Sequence, residues 1–193
     1  MWANTELLLS KLDQGLGYSD FVALGRPEGH DGQWHQRYGQ LELTQPQRDL
    51  VASFTRETHI LCLTGTWCGD CALQGSAMAR IAEANPDKLK LRFILRSDEH
   101  ADLIVKSQIN AGFRVPVTWF LSEDDQLVSC FGDRTLSRYR SMAQKSLSPA
   151  EAVVMEPPPE NPVRQVLQEV LDEFERVQLV LRLSTRLREK HGD

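Results

Sequence analysis

The chain has few cysteines, no excess of basic residues and no long apolar run. These absences argue against a disulfide-rich framework, a nucleic-acid-binding protein and a membrane-spanning protein, respectively. It has four cysteines among 193 residues and a formal net charge of −5. No basic excess is available to neutralise phosphates, which argues against nucleic-acid binding. No apolar run approaches the roughly 18 residues that indicate a membrane-spanning helix. We therefore expect no nucleic-acid partner and no membrane partner.

The first residues also lack the features of a secretory signal. Residues 1–6 contain no basic segment, and the apolar run 7–9 is too short for a signal core. We therefore expect a cytoplasmic protein. Structural disulfides are rare in that reducing compartment, and cysteines that lie close together there usually serve redox chemistry or bind a metal.

The sequence does contain a pair of cysteines two residues apart. Residues 67–71 read Trp-Cys-Gly-Asp-Cys, follow the apolar run 59–63 and precede a segment with helical character, 72–84. Such a pair at a strand-to-helix junction can close a disulfide or open to a dithiol. In the dithiol, the Cys68 sulfur would lie at a helix N-terminus, where unpaired backbone N–H groups and the helix dipole favour the thiolate. The thiolate is the species that attacks disulfides.

Three chemical roles are open to Cys68 and Cys71: a redox dithiol, half of a zinc site, or inert thiols. The sequence has no second Cys-x-x-Cys and no histidine pair at zinc-ligand spacing, and His30 and His35 lie upstream in a glycine-rich segment. The redox dithiol is the favoured interpretation, and we expect no metal site.

The central part of the chain alternates between strand and helix patterns. Its apolar runs are short or follow a period of two, whereas the segments between them have helical character. Before this region, Thr44 has capping-box spacing to Gln47, which predicts a helix over 45–56. We predict strands over 60–63, 89–95, 115–121 and 127–131, and helices over 71–84, 99–110 and 134–145.

The N-terminal residues are predicted to form a helical extension. Residues 4–24 have a helical apolar pattern with a break at Gly15 and Gly17. Residues 25–40 are rich in glycine and polar side chains, which predicts a solvated loop. That loop contains His30, Trp34 and His35, and a loop that covers a site is the alternative interpretation.

The C-terminal part combines a proline-rich linker, 146–162, with an amphipathic helix. Asn161 as N-cap and Pro162 as first helical residue begin a helix whose apolar residues recur every three or four positions. A single helix over 161–190 would span roughly 45 Å, so its distal end would overhang the domain. We expect the apolar stripe to pack on its own domain; a second copy of the chain, in a homodimer, is the alternative. The prolines that define the linker are Pro149, Pro157, Pro158, Pro159 and Pro162.

Three segments together resemble the thioredoxin superfamily. They are residues 66–71, the run Arg114-Val115-Pro116-Val117, and residues 127–132. The resemblance covers residues 55–145 and implies a three-layer α/β/α sandwich with a mixed central sheet. It also implies that the peptide bond before Pro116 is cis and that this proline lies against the cysteine pair.

The flanking segments are similar to those of uncharacterised bacterial thioredoxin-like proteins with Trp-Cys-Gly-Asp in the motif, a helical N-terminal extension and a C-terminal helix. The resemblance therefore divides the chain into an N-terminal helical extension at 1–54, a thioredoxin-like domain at 55–145, a linker at 146–162 and a C-terminal amphipathic helix at 163–193.

The chain departs from common thioredoxins at three positions. Asp70 stands where the family usually has a proline between the cysteines, and Cys62 stands where it usually has a buried aspartate that relays protons. Ser76 stands where a proline usually kinks the helix. The first two departures imply a redox potential and rate that differ from those of thioredoxin, with the capacity for disulfide exchange retained.

Four side chains near the motif have a functional and a structural interpretation. Asp70 either tunes the redox potential, because a carboxylate disfavours a nearby thiolate, or simply favours the helix N-terminus from an exposed position. Cys62 is interpreted as a small buried hydrophobe, with a third redox thiol as the alternative. Cys130 is expected to be structural. Trp67 is expected to contact partners rather than to pack in the core.

The resemblance implies a cytoplasmic thiol–disulfide oxidoreductase that acts as a disulfide reductase. Cys68 would attack the substrate and Cys71 would resolve the intermediate, with no cofactor beyond the redox-active disulfide Cys68–Cys71. The substrate would be a protein or small-molecule disulfide, and the electron donor a reductase or a low-molecular-weight thiol. An interaction or redox-sensing module without turnover is the first alternative, and a metal-binding protein the second. The residues expected to tune the pair or contact substrate are Trp67, Gly69, Asp70, Cys62, Val115 and Pro116.

Overall fold

The computed structural model describes residues 3–148, 156–157 and 159–193. The described strands are β1 (Thr58–Thr64), β2 (Leu89–Leu95), β3 (Val117–Ser122) and β4 (Leu127–Gly132). Short 3-10 turns lie at Arg26–Glu28 and Asp98–His100. The helices are α1 (Thr5–Gln14), α2 (Tyr18–Leu24), α3 (Asp31–Gln40), α4 (Gln45–Ala52), α5 (Gly69–Ala84), α6 (Ala101–Lys106), α7 (Leu136–Ser146), α8 (Pro162–Arg182) and α9 (Thr185–His191).

The four strands form one mixed sheet with the spatial order β2-β1-β3-β4. Strand β1 runs parallel to β2 and antiparallel to β3, and β3 pairs antiparallel with β4. Ile60 on β1 lies opposite Leu91 on one side and Phe120 on the other. The mixed central sheet expected from the sequence is therefore confirmed.

Helices cover both faces of this sheet. Along β1, Ile60 and Cys62 point into one core cluster, whereas Leu61 and Leu63 point into the other, as the period of two requires. The first cluster takes in α5 and α8, and the second takes in Leu8 of α1 and Leu103 of α6. The expected three-layer α/β/α arrangement is confirmed.

The helix ends follow the capping signals in the sequence. Thr44 and Gln47 form a capping box that begins α4. The side-chain oxygen of Asn161 accepts a hydrogen bond of 3.0 Å from the Arg164 N–H and so begins α8. Helix α5 ends before Pro86, because the residue preceding a proline disfavours helical geometry.

The N-terminal helices are joined to the sheet at the predicted break. Leu16, between α1 and α2, exchanges backbone hydrogen bonds of 2.9 and 2.8 Å with Phe93 of β2. A Cβ atom at Gly15 would lie 2.6 Å from the Cβ of Arg92, so only glycine allows this close approach.

The loop predicted over residues 25–40 is wrong, because most of this segment is helix α3. Its one fully buried side chain is Trp34, whose ring packs edge-on against Phe21 with 5.3 Å between the ring centres. The helix was not predicted because the segment is rich in glycine and polar residues and has no apolar periodicity. One large aromatic side chain, Trp34, anchors it to the core.

The single long C-terminal helix is also wrong, because the chain turns at Leu183 and Ser184 between α8 and α9. Ser184 has extended dihedral angles, and this turn brings Leu187 into the core instead of leaving it on an overhang. The predicted packing of the α8 stripe on its own domain is confirmed by the burial of its apolar residues.

Two further differences concern the lengths of segments. Helix α6 ends at Lys106 rather than at 110, and Asn110 and Ala111 have positive φ angles that a helix does not allow. The predicted linker over 146–162 lies partly outside the described residues, which omit Pro149 and Pro158. None of the described helices is both long and apolar enough to cross a bilayer.

Candidate active site

The two cysteines of the motif occupy the turn between β1 and α5. Cys68 is the N-cap of α5, and its Sγ accepts a hydrogen bond of 3.3 Å from the Cys71 backbone N–H. Cys68 is half-buried and Cys71 is fully buried, and both are free thiols in this structure. The helix N-terminus therefore points its unpaired N–H groups at the more accessible sulfur.

The environments of the two thiols separate their acidities. The side-chain and backbone hydrogen bonds from Cys71 lower the pKa of Cys68 to about 7, against the opposing effects of burial and of the Asp70 charge. Burial raises the pKa of Cys71 well above its usual value, and its hydrogen bond to Cys68 adds to the rise. Near neutral pH, Cys68 can supply a thiolate while Cys71 keeps its proton.

The peptide segment of Val115 and Pro116 approaches Cys68 through the Val115 carbonyl. The Val115–Pro116 peptide bond is cis, as expected. The Cys68 Sγ lies 3.9 Å from the Val115 carbonyl oxygen. A Cβ atom at Gly132 would lie 2.8 Å from the Pro116 carbonyl oxygen, so β4 packs tightly under this segment. A second cis bond, Gly132–Asp133, had no signal in the sequence.

Trp67 borders the site on its open side. Its side chain is 43% exposed, and the guanidinium carbon of Arg96 lies 5.6 Å from the ring centre. A Cβ atom at Gly65 would lie 2.8 Å from the indole ring, so the ring covers the turn before the motif. This exposure agrees with the contact interpretation and not with a core tryptophan.

Asp70 is not exposed, in contrast to the expectation from the sequence. Its side chain is 11% exposed and lies between two arginines. The Arg134 Nε donates to one carboxylate oxygen at 2.6 Å, and the Arg138 Nε donates to the other at 2.7 Å. Both arginines come from the start of α7 and the residues before it, more than 60 positions away, so no local pattern could indicate them. Gly69, between Cys68 and Asp70, is exposed.

The remaining cysteines lie away from the solvent side of the motif. Cys62 is fully buried on β1, and burial raises its pKa to about 12. Burial likewise raises the pKa of Cys130 to about 12. These surroundings agree with the structural interpretation of both residues. Ser76, where the family usually has a proline, lies 2.8 Å from the hydroxyl of Tyr18 and links α5 to α2.

Helix α3 contacts the residue before the motif, which contradicts the solvated loop predicted for this segment and agrees with the alternative that it covers a site. The Trp34 Nε1 donates to the Thr66 carbonyl oxygen at 2.9 Å, and the Gln33 Nε2 donates to the same oxygen at 2.8 Å. The His30 Nδ1 lies 3.1 Å from the Thr66 hydroxyl. These groups fix the residue that enters the Trp-Cys-Gly-Asp-Cys motif. An isolated tryptophan in a polar segment was the only signal for this role.

A second acidic residue, Asp133, completes the far side of the site. Its carboxylate accepts hydrogen bonds of 3.1 Å from both Arg114 and Arg134, and one from the Tyr139 hydroxyl. The Gln74 Nε2, on α5, donates to the Asp133 carbonyl oxygen at 3.0 Å. Within the described residues, no group of three or more metal-ligating side chains is present.

Comparisons with known proteins agree on the fold. A family model described as thioredoxin matches residues 16–145, a longer region than the 55–145 of the resemblance. The crystal structure of a protein of unknown function, PA1234 from Pseudomonas aeruginosa, is 17% identical, and the match covers 94% of this chain and 98% of that one with a TM-score of 0.63.

An HIV epitope scaffold is also 17% identical, covers 95% of this chain and 99% of its own, and has a TM-score of 0.58. Identities at this level indicate a shared fold and nothing about activity. The search of curated protein sequences gives no match. Because the family model spans well over half of the chain, this protein belongs to the thioredoxin family.

Proposed function

We propose that the protein is a cytoplasmic thiol–disulfide oxidoreductase that reduces disulfides through Cys68 and Cys71. The observation that carries the proposal is the asymmetry of the pair: a half-exposed Cys68 with a pKa of about 7 beside a buried Cys71 with a raised pKa. A nucleophile and a resolving thiol need this difference. The nucleophile must be ionised and accessible to substrate, whereas the resolving thiol must stay protonated until the mixed disulfide has formed.

The proposed reaction begins when the Cys68 thiolate attacks one sulfur of a substrate disulfide. The substrate S–S bond breaks, the leaving sulfur takes a proton, and a mixed disulfide joins Cys68 to the substrate. Cys71 then loses its proton and attacks the Cys68 sulfur. The second substrate thiol leaves, so two electrons have passed to the substrate and the protein holds the Cys68–Cys71 disulfide.

The disulfide must be reduced again by an external dithiol, a low-molecular-weight thiol or a reductase. Cys62, whose pKa is raised to about 12 by burial, cannot serve as a base for Cys71 near neutral pH. The proposal therefore assigns the Cys71 proton to solvent or to the substrate thiolate. The Val115 carbonyl, next to Cys68, would accept a hydrogen bond from an extended substrate strand.

The test is insulin reduction in the presence of dithiothreitol. We expect turnover above the dithiothreitol background by the intact protein and none by Cys68→Ser. In a separate incubation without dithiothreitol, reduced Cys71→Ser should hold insulin as a mixed disulfide on Cys68. Cys130→Ser is the matched control, because that thiol is outside the motif, and it should keep its activity. Substantial turnover by Cys68→Ser would contradict the roles assigned here. An intact protein that shows no turnover above the dithiothreitol background would favour the interaction or redox-sensing module instead.

A further inference from the structure

The two arginines on Asp70 form a contact that the reaction above does not use. Asp70 lies two residues after Cys68, in the first turn of α5. Its two carboxylate oxygens are taken by different arginines, at 2.6 Å for Arg134 and 2.7 Å for Arg138. The arginine side chains are 23% and 32% exposed and that of Asp70 is 11% exposed, so the carboxylate is nearly buried and the two guanidinium groups are partly buried. Ion pairs in such surroundings are screened much less by salt than exposed pairs.

The charge of Asp70 opposes the chemistry of Cys68. A carboxylate close to a thiol disfavours its ionisation. The lowered pKa of Cys68 arises first from the hydrogen bonds of Cys71, and both burial and the Asp70 charge act against that lowering. The two guanidinium groups on the carboxylate oppose the field of Asp70 at the sulfur, because each pairs with one of its oxygens.

Contacts with Asp133 and with α8 hold the two arginines and the start of α7 in place. Arg134 also donates to the Asp133 carboxylate at 3.1 Å, so it bridges two acids. At the start of α7, the Ser137 backbone N–H and hydroxyl donate to the Glu169 carboxylate of α8 at 3.0 and 2.6 Å. The C-terminal helix thus fixes the turn of α7 that carries Arg138.

We propose that Arg134 and Arg138 are positioning residues that neutralise Asp70 and thereby keep the Cys68 thiolate available for disulfide exchange. The role in exchange rests on the proposed reductase function, whereas the effect on the Cys68 thiol does not. The ionisation of the Cys-Gly-Asp-Cys motif then depends on the start of α7, which places Arg138 on Asp70. Glu169 of α8 supports this arrangement through its hydrogen bonds with Ser137.

Other charged or titratable groups also face the motif and must stay constant in the test. The Cys71 thiol lies on the same helix. His30 contacts Thr66 from the segment before α3. Arg96 lies over Trp67 from the end of β2. Asp133 is paired with Arg114 as well as with Arg134. Arg134→Gln also removes one partner of Asp133, which keeps its contacts with Arg114 and the Tyr139 hydroxyl, whereas Arg138→Gln leaves the contacts of Asp133 in place.

The experiment measures the rate of Cys68 alkylation by iodoacetamide as a function of pH, with mass spectrometry to locate the label. We expect Arg134→Gln and Arg138→Gln each to move the midpoint to higher pH. In the double variant, the thiolate fraction below the midpoint should fall by about threefold or more, because an unpaired carboxylate close by raises the pKa of a thiol. Arg140→Gln is the matched control, because Arg140 lies on the same helix but pairs with Glu156 at 2.8 Å.

A further variant separates charge from structure. Adding Asp70→Asn to the double variant removes the unpaired carboxylate. The alkylation rate at a fixed pH should then return to within about twofold of the rate of the intact protein. A midpoint that does not move in the double variant overturns the proposal. The same holds for a shift that Asp70→Asn fails to reverse, or for one that Arg140→Gln reproduces. If the midpoint moves as expected but the intact protein does not reduce disulfides, the charge relation stands and the reductase function fails.

Discussion

At the residue scale, Cys68 differs from the other three cysteines in combining partial exposure with a lowered pKa. Cys62 and Cys71 are fully buried, and burial raises the pKa of Cys62 and Cys130 to about 12. Reactivity toward an electrophile follows the product of thiolate fraction and access. The four thiols should therefore separate clearly in a labelling experiment.

We expect Cys68 to be alkylated with a pH profile centred near its pKa of about 7. The thiolate is the form present above the midpoint, and the lowered pKa brings that midpoint close to neutral pH. Below the midpoint the alkylation rate should fall roughly tenfold per pH unit. Iodoacetamide labelling of the reduced protein between mildly acidic and alkaline pH, read by mass spectrometry, measures this. A midpoint near the value of a free thiol, or labelling of Cys62 at a similar rate, would contradict the assignment.

A second residue-scale prediction concerns the support of Thr66 by α3. Trp34→Phe keeps an aromatic ring in the core but loses the hydrogen bond of 2.9 Å to the Thr66 carbonyl oxygen. We expect the free energy of unfolding to fall by about 1–3 kcal/mol. His35→Ala, on the exposed face of the same helix, is the control and should change stability by no more than about 0.5 kcal/mol. Urea denaturation compares the two, and equal effects would argue that α3 does not anchor the motif.

The sequence predicted the backbone geometry around the cysteine pair better than the side-chain contacts that surround it. The position of the cysteine pair between a strand and a helix was expected from local patterns, and the cis bond before Pro116 was expected from the family resemblance alone. The pairing of Asp70 with Arg134 and Arg138 was not expected, because it depends on how α7 packs across the end of α5. Long-range ion pairs leave no periodic signal in a sequence.

At the scale of elements, the same distinction separates the predictable helices and strands from the others. The strands of the central region were expected because apolar residues alternate or form short runs there. Helix α3 was missed because Trp34 is its one fully buried side chain. The turn at Ser184 was missed because leucines continue beyond α8 at Leu183 and Leu187, and Leu187 is buried from a different helix. Periodicity indicates a helical face but cannot show where the chain bends.

The contact between α3 and α5 gives an element-scale prediction with an internal control. A Cβ atom at Gly75 of α5 would lie 2.5 Å from the ring of Trp34. Alanine favours helices over glycine by about 0.5–1 kcal/mol, but overpacking a core costs about 1–3 kcal/mol. We therefore expect Gly75→Ala to lower the free energy of unfolding by roughly 1–2 kcal/mol in total.

Gly69, at the first position of the same helix, is the control for Gly75. Its nearest neighbour to an added Cβ atom is the Gln33 Oε1, at 3.9 Å, so Gly69→Ala should leave stability unchanged or raise it slightly. Thermal unfolding of the two variants checks this, because one kcal/mol corresponds to about 2–4 °C for a protein of this size. A Gly75→Ala protein as stable as Gly69→Ala would mean that the α3–α5 contact can relax.

At the scale of the whole molecule, one core cluster joins the N-terminal helices, the central sheet and the C-terminal helix. It contains Phe21 of α2, Phe93 of β2 and Phe174 of α8. The family model also begins at residue 16, within the predicted extension of residues 1–54. The division of the chain at residue 54 stays a prediction, but the helices before that position share a core with the sheet.

The C-terminal residues return to the central sheet through polar contacts. The Gln178 side chain of α8 accepts from the Arg56 N–H at 3.1 Å and donates to the Arg56 carbonyl oxygen at 2.8 Å. The Arg56 side chain forms an ion pair with Asp193, and Lys190 pairs with Glu123 at 2.8 Å. These contacts lie on both sides of the turn at Ser184, so α8 and α9 are both attached to the region around β1 and β3.

The contribution of the C-terminal helix to stability can be measured with two substitutions that differ mainly in burial. Phe174 is fully buried, and its ring packs edge-on against Phe120 with 5.1 Å between ring centres. Leu183, just after α8, is 77% exposed. We expect Phe174→Ala to lower the free energy of unfolding by about 3–5 kcal/mol, because it removes buried apolar area and leaves a cavity. Leu183→Ala should change it by no more than about 0.5 kcal/mol.

Urea denaturation monitored by circular dichroism gives both values, and the alkylation profile of Cys68 shows whether the site survives in folded Phe174→Ala protein. A small effect of Phe174→Ala would mean that α8 lies on the domain without stabilising it, and the helix would then be a tethered element. A large effect of Leu183→Ala would indicate that this exposed side chain is covered in solution, and sedimentation at several protein concentrations would then test for a second copy of the chain.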